Sequence, residues 1–233
     1  MYNTNFSFDH AIRPIIHGIL DLIYPPLCLV CEKKLTDQED QICFSCLNGF
    51  QLIGKEHDKF SIPGKVFIEK AWALFVFDSA FQGLIHHLKY SRRRKPVLAV
   101  LKHFQSEIMG QIKHTHYDWI VSIPLHPRKM RERGYNQVDG MNAWLCEQLG
   151  TAQGNHLVRR LKYTESQTKL NAEERQLNVA MAFGVVNESE ISGRQFLLVD
   201  DVLTTGATAN ELAEVLINSG AQQVDLITLS TPQ

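Results

Sequence analysis

Phe196-Leu197-Leu198-Val199-Asp200-Asp201-Val202-Leu203-Thr204-Thr205-Gly206-Ala207-Thr208 is the stretch on which the fold turns. Four apolar residues run into two adjacent acids, an apolar pair, and a short loop of hydroxyls and glycine. An apolar run of this length between polar residues predicts a strand buried on both faces. Beyond the loop, Ala209, Leu212, Ala213, Leu216 and Ile217 recur at helical spacing, and Gly220 stands where a helix ends. The unit is therefore strand, loop, helix, with the loop at the helix N-terminus.

That arrangement suits a phosphate. Unbonded backbone N–H groups and the positive end of the helix dipole converge on the loop, and Gly206 permits close approach of the main chain. Thr204, Thr205 and Thr208 add hydroxyl donors. Asp200 and Asp201 fall at the carboxyl end of the strand, where open α/β sheets bind ligands. Carboxylates do not bind phosphate. They accept from a ribose diol, or partner a metal that bridges to the phosphate. The alternative is a loop that only caps the helix, but acids against a buried strand are costly without partners.

This stretch resembles the phosphoribosyl pyrophosphate (PRPP) motif of type I phosphoribosyltransferases: four apolar residues, two acids, then Thr-Gly-x-Thr. The resemblance implies an open, mostly parallel sheet flanked by helices. It assigns the ribose 2′- and 3′-hydroxyls to Asp200 and Asp201. The 5′-phosphate falls to Thr204, Thr205, Gly206, Ala207 and Thr208, and Mg²⁺ accompanies PRPP. One departure narrows the chemistry. Purine-salvage relatives carry an acid four residues after the first acid of the motif, as general base; here that position is Thr204, which cannot serve at neutral pH. The resemblance therefore excludes purine salvage. No glutaminase cysteine stands at position 2, which argues against amidophosphoribosyl transfer from glutamine.

A second constellation lies near the start. Ile12, Ile15, Ile16, Ile19, Leu20 and Ile23 predict an amphipathic helix over residues 10–24, stopped by Pro25-Pro26. Cys28-Leu29-Val30-Cys31 and Cys43-Phe44-Ser45-Cys46 follow, eleven residues apart. Two such knuckles supply four thiolates for tetrahedral Zn²⁺, with no open position for catalysis. Disulfides are disfavoured without an export signal, and a redox Cys-x-x-Cys stands singly. Cys146 falls among apolar helix positions and is read as a packed thiol. Residues 47–69 read as a linker, which divides the chain into a zinc-ribbon-like segment, 1–66, and a main domain, 67–233.

Charge is unevenly spread. Net charge is −1, yet residues 84–133 hold 11 Lys/Arg against three acids, a local excess of eight. Lys89, Tyr90, Arg92, Arg93, Arg94 and Lys95 form one cationic stretch, and Arg131 and Arg133 belong to another. A solvated charge run is the plain reading. Two such runs side by side make a candidate surface for single-stranded nucleic acid. Periodicity predicts strands at 71–77, 119–123, 156–161 and 224–229, and helices at 81–90, 97–112 and 136–149. With 44% hydrophobic and 21% charged residues the composition is that of a globular protein. No apolar run reaches the roughly 20 residues that span a bilayer, nor does the start read as a signal peptide, so a cytoplasmic protein without membrane insertion is expected.

After the second strand comes Pro124-Leu125-His126-Pro127, and then Arg133-Gly134-Tyr135-Asn136-Gln137. This pattern is similar to the signature of the ComF/GntX branch of the phosphoribosyltransferases. So are Thr164-x-x-Gln167-x-x-Leu170 and Glu174-Arg175-x-x-Asn178, and the branch also begins with a four-Cys zinc segment. By position the resemblance gives the PRPP pyrophosphate to Leu125, His126, Pro127 and Arg128, and a mobile lid to the segment bearing Arg175. A satisfied loop histidine at 126 and a solvated helix at 175 are the alternatives. The branch is associated with natural competence, where incoming single-stranded DNA meets a ComFA-like helicase and a DprA-like recombination mediator. Two functions stand: a PRPP-fold protein handling single-stranded DNA, or a Mg²⁺-dependent phosphoribosyltransferase with an unidentified acceptor.

Overall fold

The computed structural model describes residues 25–53, 65–90, 95–113, 115–161 and 182–232. The helix expected at 10–24, Arg92–Arg94, and the lid segment with Arg175 lie outside them. In chain order the described elements are α1 (Phe44–Gly49), β1 (Ala71–Val76), α2 (Ser79–Tyr90), α3 (Lys95–His103), α4 (Gln105–Ile112) and β2 (Trp119–Ser122). They continue with α5 (Pro127–Arg133), α6 (Asp139–Leu149), β3 (Ala152–Gln153), β4 (Val158–Arg160), β5 (Phe183–Val185), β6 (Gln195–Val202), α7 (Ala207–Asn218) and β7 (Gln223–Thr231).

Five strands form one sheet in the order β1-β7-β6-β2-β3, with every neighbouring pair parallel. A parallel sheet needs cover on both faces, and β6 shows how its sequence provides for it. Alternate side chains point to opposite sides. Leu197 and Val199 pack with Met141, Trp144 and Leu145 of α6; Phe196 and Leu198 pack with Leu212, Ala213 and Leu216 of α7. The apolar run is thus two half-cores interleaved in one strand. The chain leaves β2 toward β3 and leaves β6 toward β7, in opposite directions along the sheet. The neighbouring carboxyl ends of β2 and β6 are consequently the topological switch point, where such sheets bind ligands.

The outer edge of β1 is covered by residues 51–53. Ile53 N–H donates to Leu74 O at 2.7 Å, and Val76 N–H donates to Gln51 O at 3.0 Å. Phe50 enters an aromatic group with Phe75 and Phe81, at centroid distances of 6.4 and 5.4 Å. The stretch expected to be linker therefore begins as an antiparallel edge that protects the sheet. Further differences are local. The helix expected over 97–112 bends at Phe104, φ −102° and ψ 21°, although i→i−4 bonds continue through it. The bend turns the Phe104 ring onto Phe75, 5.2 Å away. Residues 127–133, which hold the second cationic stretch and for which no helix is expected, form the short helix α5. Of the seven acids after residue 187, Asp201, Glu211 and Asp225 are buried, so this acidic last fifth of the chain is not one acidic face.

Candidate functional site

The acid pair stands at the switch point. β2 ends at Ser122, opposite Val199, while β6 runs on to Val202, so Asp200 and Asp201 project beyond the end of their neighbour. Asp200 pairs in register with Thr228 of β7 and is half-buried; Asp201 is only 8% exposed. The Asp201 N–H donates to Asp200 Oδ1 at 2.9 Å, which holds the two carboxylates in a fixed relation. The chain then turns through Thr204 and Thr205, both exposed, to Gly206, whose φ of 75° is the left-handed conformation that glycine adopts at least cost. Thr205 Oγ1 accepts from Ala207 N–H at 3.3 Å. The first-turn N–H groups of α7 open onto a pocket lined by Asp200, Thr204, Thr205, Gly206, Thr208 and Thr228. Donors on one side and the Asp200 carboxylate on the other, with Asp201 next to it in the chain, fit a molecule with a phosphate at one end and a diol at the other.

The signature after β2 reaches the acid pair through Gln137. His126 caps α5, its Nδ1 accepting from Arg128 N–H at 3.1 Å, and Pro127 occupies the first helical position. Desolvation, and then the charges of Arg160, Arg131, Lys129 and Arg128, hold His126 below its ordinary range, in the neutral form its capping role needs. Gly134 ends α5 at φ 77°. Each of the next three residues ties this loop to a different element. Tyr135 Oη donates to Leu88 O of α2; Asn136 Nδ2 donates to Ile123 O at 2.9 Å; Gln137 Nε2 donates to Asp201 Oδ2 at 3.0 Å. The Tyr135 bond ties the backbone near the end of α2 to the loop that follows α5. Lys95 opens α3.

The cysteines converge as their spacing predicts. The sulfurs of Cys28, Cys31, Cys43 and Cys46 all lie within 4.8 Å of one another. Cys31 Sγ and Cys43 Sγ are 3.7 Å apart, against about 3.8 Å for two sulfurs of a Zn–S₄ tetrahedron. Glu32, just past Cys31, and Gln41, just before the second knuckle, take φ of 59° and 66° to turn the chain around this centre. Burial raises the Cys28 thiol, but N–H groups of Cys43, Cys31 and Val30 aimed at its sulfur bring it down to about 7. Burial pushes Cys43 and Cys46 upward. Four sulfurs this close share a site that a divalent cation resolves, and the donor set fits Zn²⁺. Cys146 lies apart, with Sγ donating to Asn142 Oδ1 at 3.4 Å and its thiol pushed up to about 11 by burial.

Comparison with known proteins supplies the family. Residues 153–232 match the phosphoribosyl transferase domain and residues 19–57 the double zinc ribbon domain. The DNA utilization protein YhgH of Escherichia coli K12 is 36% identical over 221 residues, covering 88% of this chain and 96% of that one. The chain belongs to the ComF/GntX family. A ComF-family relative, competence protein ComFC of Streptococcus pneumoniae, is 27% identical over 229 residues, covering 87% of this chain and 98% of that one. Among solved structures, an adenine phosphoribosyltransferase from Thermoanaerobacter pseudethanolicus matches at 15% identity and a TM-score of 0.36, over 57% of this chain and 81% of that one. The sheet and its flanking helices make this ComF-family chain a type I phosphoribosyltransferase fold with a four-cysteine segment before it.

Two residues of this ComF-family site escaped the sequence reading. Arg160 ends β4, its guanidinium 5.2 Å from the Phe183 ring centre across the antiparallel β4–β5 ribbon. Burial holds Arg160 below its ordinary range while Glu211, then Asp200, pull it back. The same charge acts on His126, so Arg160 joins the acid pair to the signature loop. Glu211 of α7 in turn accepts from Ala182 N–H at 2.7 Å, clamping the root of the ribbon to α7. The second is Gln137, visible in sequence only as the last letter of a signature.

Proposed function

We propose that this ComF-family protein binds PRPP, or a related ribose phosphate, at the β6–α7 loop and handles single-stranded DNA taken up during natural transformation. The observation that carries the ribose-phosphate part is the acid pair beside the Gly206 loop, at the sheet's switch point. Asp200 and Asp201 accept from the ribose hydroxyls; Thr204 through Thr208 hold the 5′-phosphate by backbone N–H groups and hydroxyls. His126 and Arg128, with Leu125 and Pro127 setting the backbone, face the pyrophosphate end, joined by Arg160 and by Arg175 from the lid. Mg²⁺ would accompany the pyrophosphate and offset its charge.

The nucleic-acid part rests on the cationic residues from Lys89 to Lys95, between α2 and α3, and on Lys129 and Arg131 of α5. The relatives' printed names, for DNA utilization and competence, support it. A diol clamp has no purchase on deoxyribose, so DNA uses this outer surface and not the acid pair. The organisation proposed is a zinc-bearing segment, 1–66, docked on a phosphoribosyltransferase-like domain, 67–233, in the cytoplasm, with a helicase and a recombination mediator as candidate partners. No described helix is long and apolar enough to cross a membrane.

Calorimetry with PRPP and Mg²⁺ and with a short single strand, each alone and then together, tests both parts. Two independent isotherms are expected. Failure of PRPP to bind removes the first part, and failure of the strand removes the second.

A further inference from the structure

Gln137 lies between a cation and an anion, and that decides its chemistry. Its Oε1 accepts from Arg133 Nη1 at 2.8 Å, and its Nε2 donates to Asp201 Oδ2 at 3.0 Å. The two ends of a glutamine amide are alike in shape, so direction must come from partners. An arginine only donates and an ionised carboxylate only accepts. One orientation satisfies both, with the oxygen toward Arg133 and the amino group toward Asp201. Gln137 is 6% exposed, so water is a poor substitute for either bond. The backbone offers little freedom: left-handed Gly134 reverses the chain between the two side chains, and the Asn136 bond to Ile123 pins the residue next to Gln137.

We propose that Gln137 is the positioning residue that orients Asp201 for a ribose diol, with Arg133 setting the direction of the Gln137 amide. This rests on the ribose-phosphate reading above and adds to it. A donor fixed on Oδ2 sets the carboxylate plane before any sugar arrives, so the hydroxyl acceptor is preorganised. A site built to bond a hydroxyl rejects the analogue that lacks it. Arg133, half-buried on the last turn of α5, thereby belongs to the sugar site, and the nucleic-acid surface ends at Arg131.

The test is calorimetry in Mg²⁺ with ribose 5-phosphate and 2-deoxyribose 5-phosphate as probes. The unaltered protein should favour ribose 5-phosphate by roughly tenfold or more, the worth of one hydrogen bond to a charged group. Gln137→Glu keeps the shape and a partner for Arg133 but replaces the donor facing Asp201; the preference should fall toward one while thermal unfolding stays cooperative. Arg133→Leu should lower the preference as well, and Arg133→Lys, which still donates to the amide oxygen, should restore it. The Arg133 pair decides the matter if Gln137→Glu does not fold. An undiminished preference in Gln137→Glu or Arg133→Leu overturns the proposal and leaves the ribose-phosphate reading standing. No binding of ribose 5-phosphate by the unaltered protein overturns both.

Discussion

The cysteine segment and the β6–α7 loop are both candidate ligand sites, yet the chain builds them in opposite ways. The loop hangs from a strand whose residues Phe196 to Val199 are fully buried, so the sheet holds it in shape before any ligand arrives. Among its described residues the cysteine segment has a single short helix and a few buried apolar residues, Leu35, Ile42, Leu47 and Phe50. These join the same apolar cluster as Leu74, Phe75 and Phe81, so the segment leans on the sheet while its own shape depends on the sulfurs. Removing the ligand should therefore unfold one region and leave the other intact. Closed metal sites carry folding energy; preformed loops carry binding energy.

Chelation gives the largest expected effect. Structural zinc in small domains contributes about 10–16 kcal/mol of apparent binding free energy, and stripping it should melt residues 28–46 and lower the melting temperature of the whole chain. A circular dichroism spectrum and melting curve unchanged by chelator would break the comparison at its first term. Phe50→Ala should come next, costing about 3–5 kcal/mol by denaturant titration with the metal still bound. A much smaller loss would mean that the segment is tethered and not packed.

On the other side of the comparison, Asp200→Asn with Asp201→Asn should keep the fold and abolish stabilisation by PRPP with Mg²⁺. For the unaltered protein that stabilisation is about 2.7 kcal/mol at a hundred times the dissociation constant, read as a thermal shift. A shift that survives the double substitution would remove the diol assignment. The smallest effect belongs to the outer surface. Lys129→Ser and Arg131→Ser together should flatten the salt dependence of single-strand binding, by about 0.7 in the log–log slope for each phosphate no longer neutralised. An unchanged slope would move the DNA elsewhere.

Much of this was legible in the sequence, for physical reasons that differ by region. β6 and α7 could be read because a strand buried on both faces must be an unbroken apolar run, and a helix start leaves its donors exposed. The cysteines could be read because their ligand geometry is local. α5 was missed although Pro127 and Gly134 mark its ends; it buries no face, so it has no apolar period to find. The edge made by residues 51–53 was missed because three residues are too few to alternate. Arg160 stands just before residues 162–181, where sequence alone gives it no role. Its place depends on Phe183 and Glu211, far along the chain, and no local pattern encodes that meeting. Gln137 is a signature letter in the sequence, and only the fold shows it touching Asp201.

The central claim is that the Gly206 loop, already shaped by the sheet, holds the phosphate of a ribose phosphate. Amide hydrogen exchange on the zinc-loaded protein, with and without PRPP and Mg²⁺, tests it most directly. The account predicts new protection at the amides of residues 205–209, with little change across residues 28–53. Unchanged exchange at residues 205–209 under saturating PRPP would contradict it.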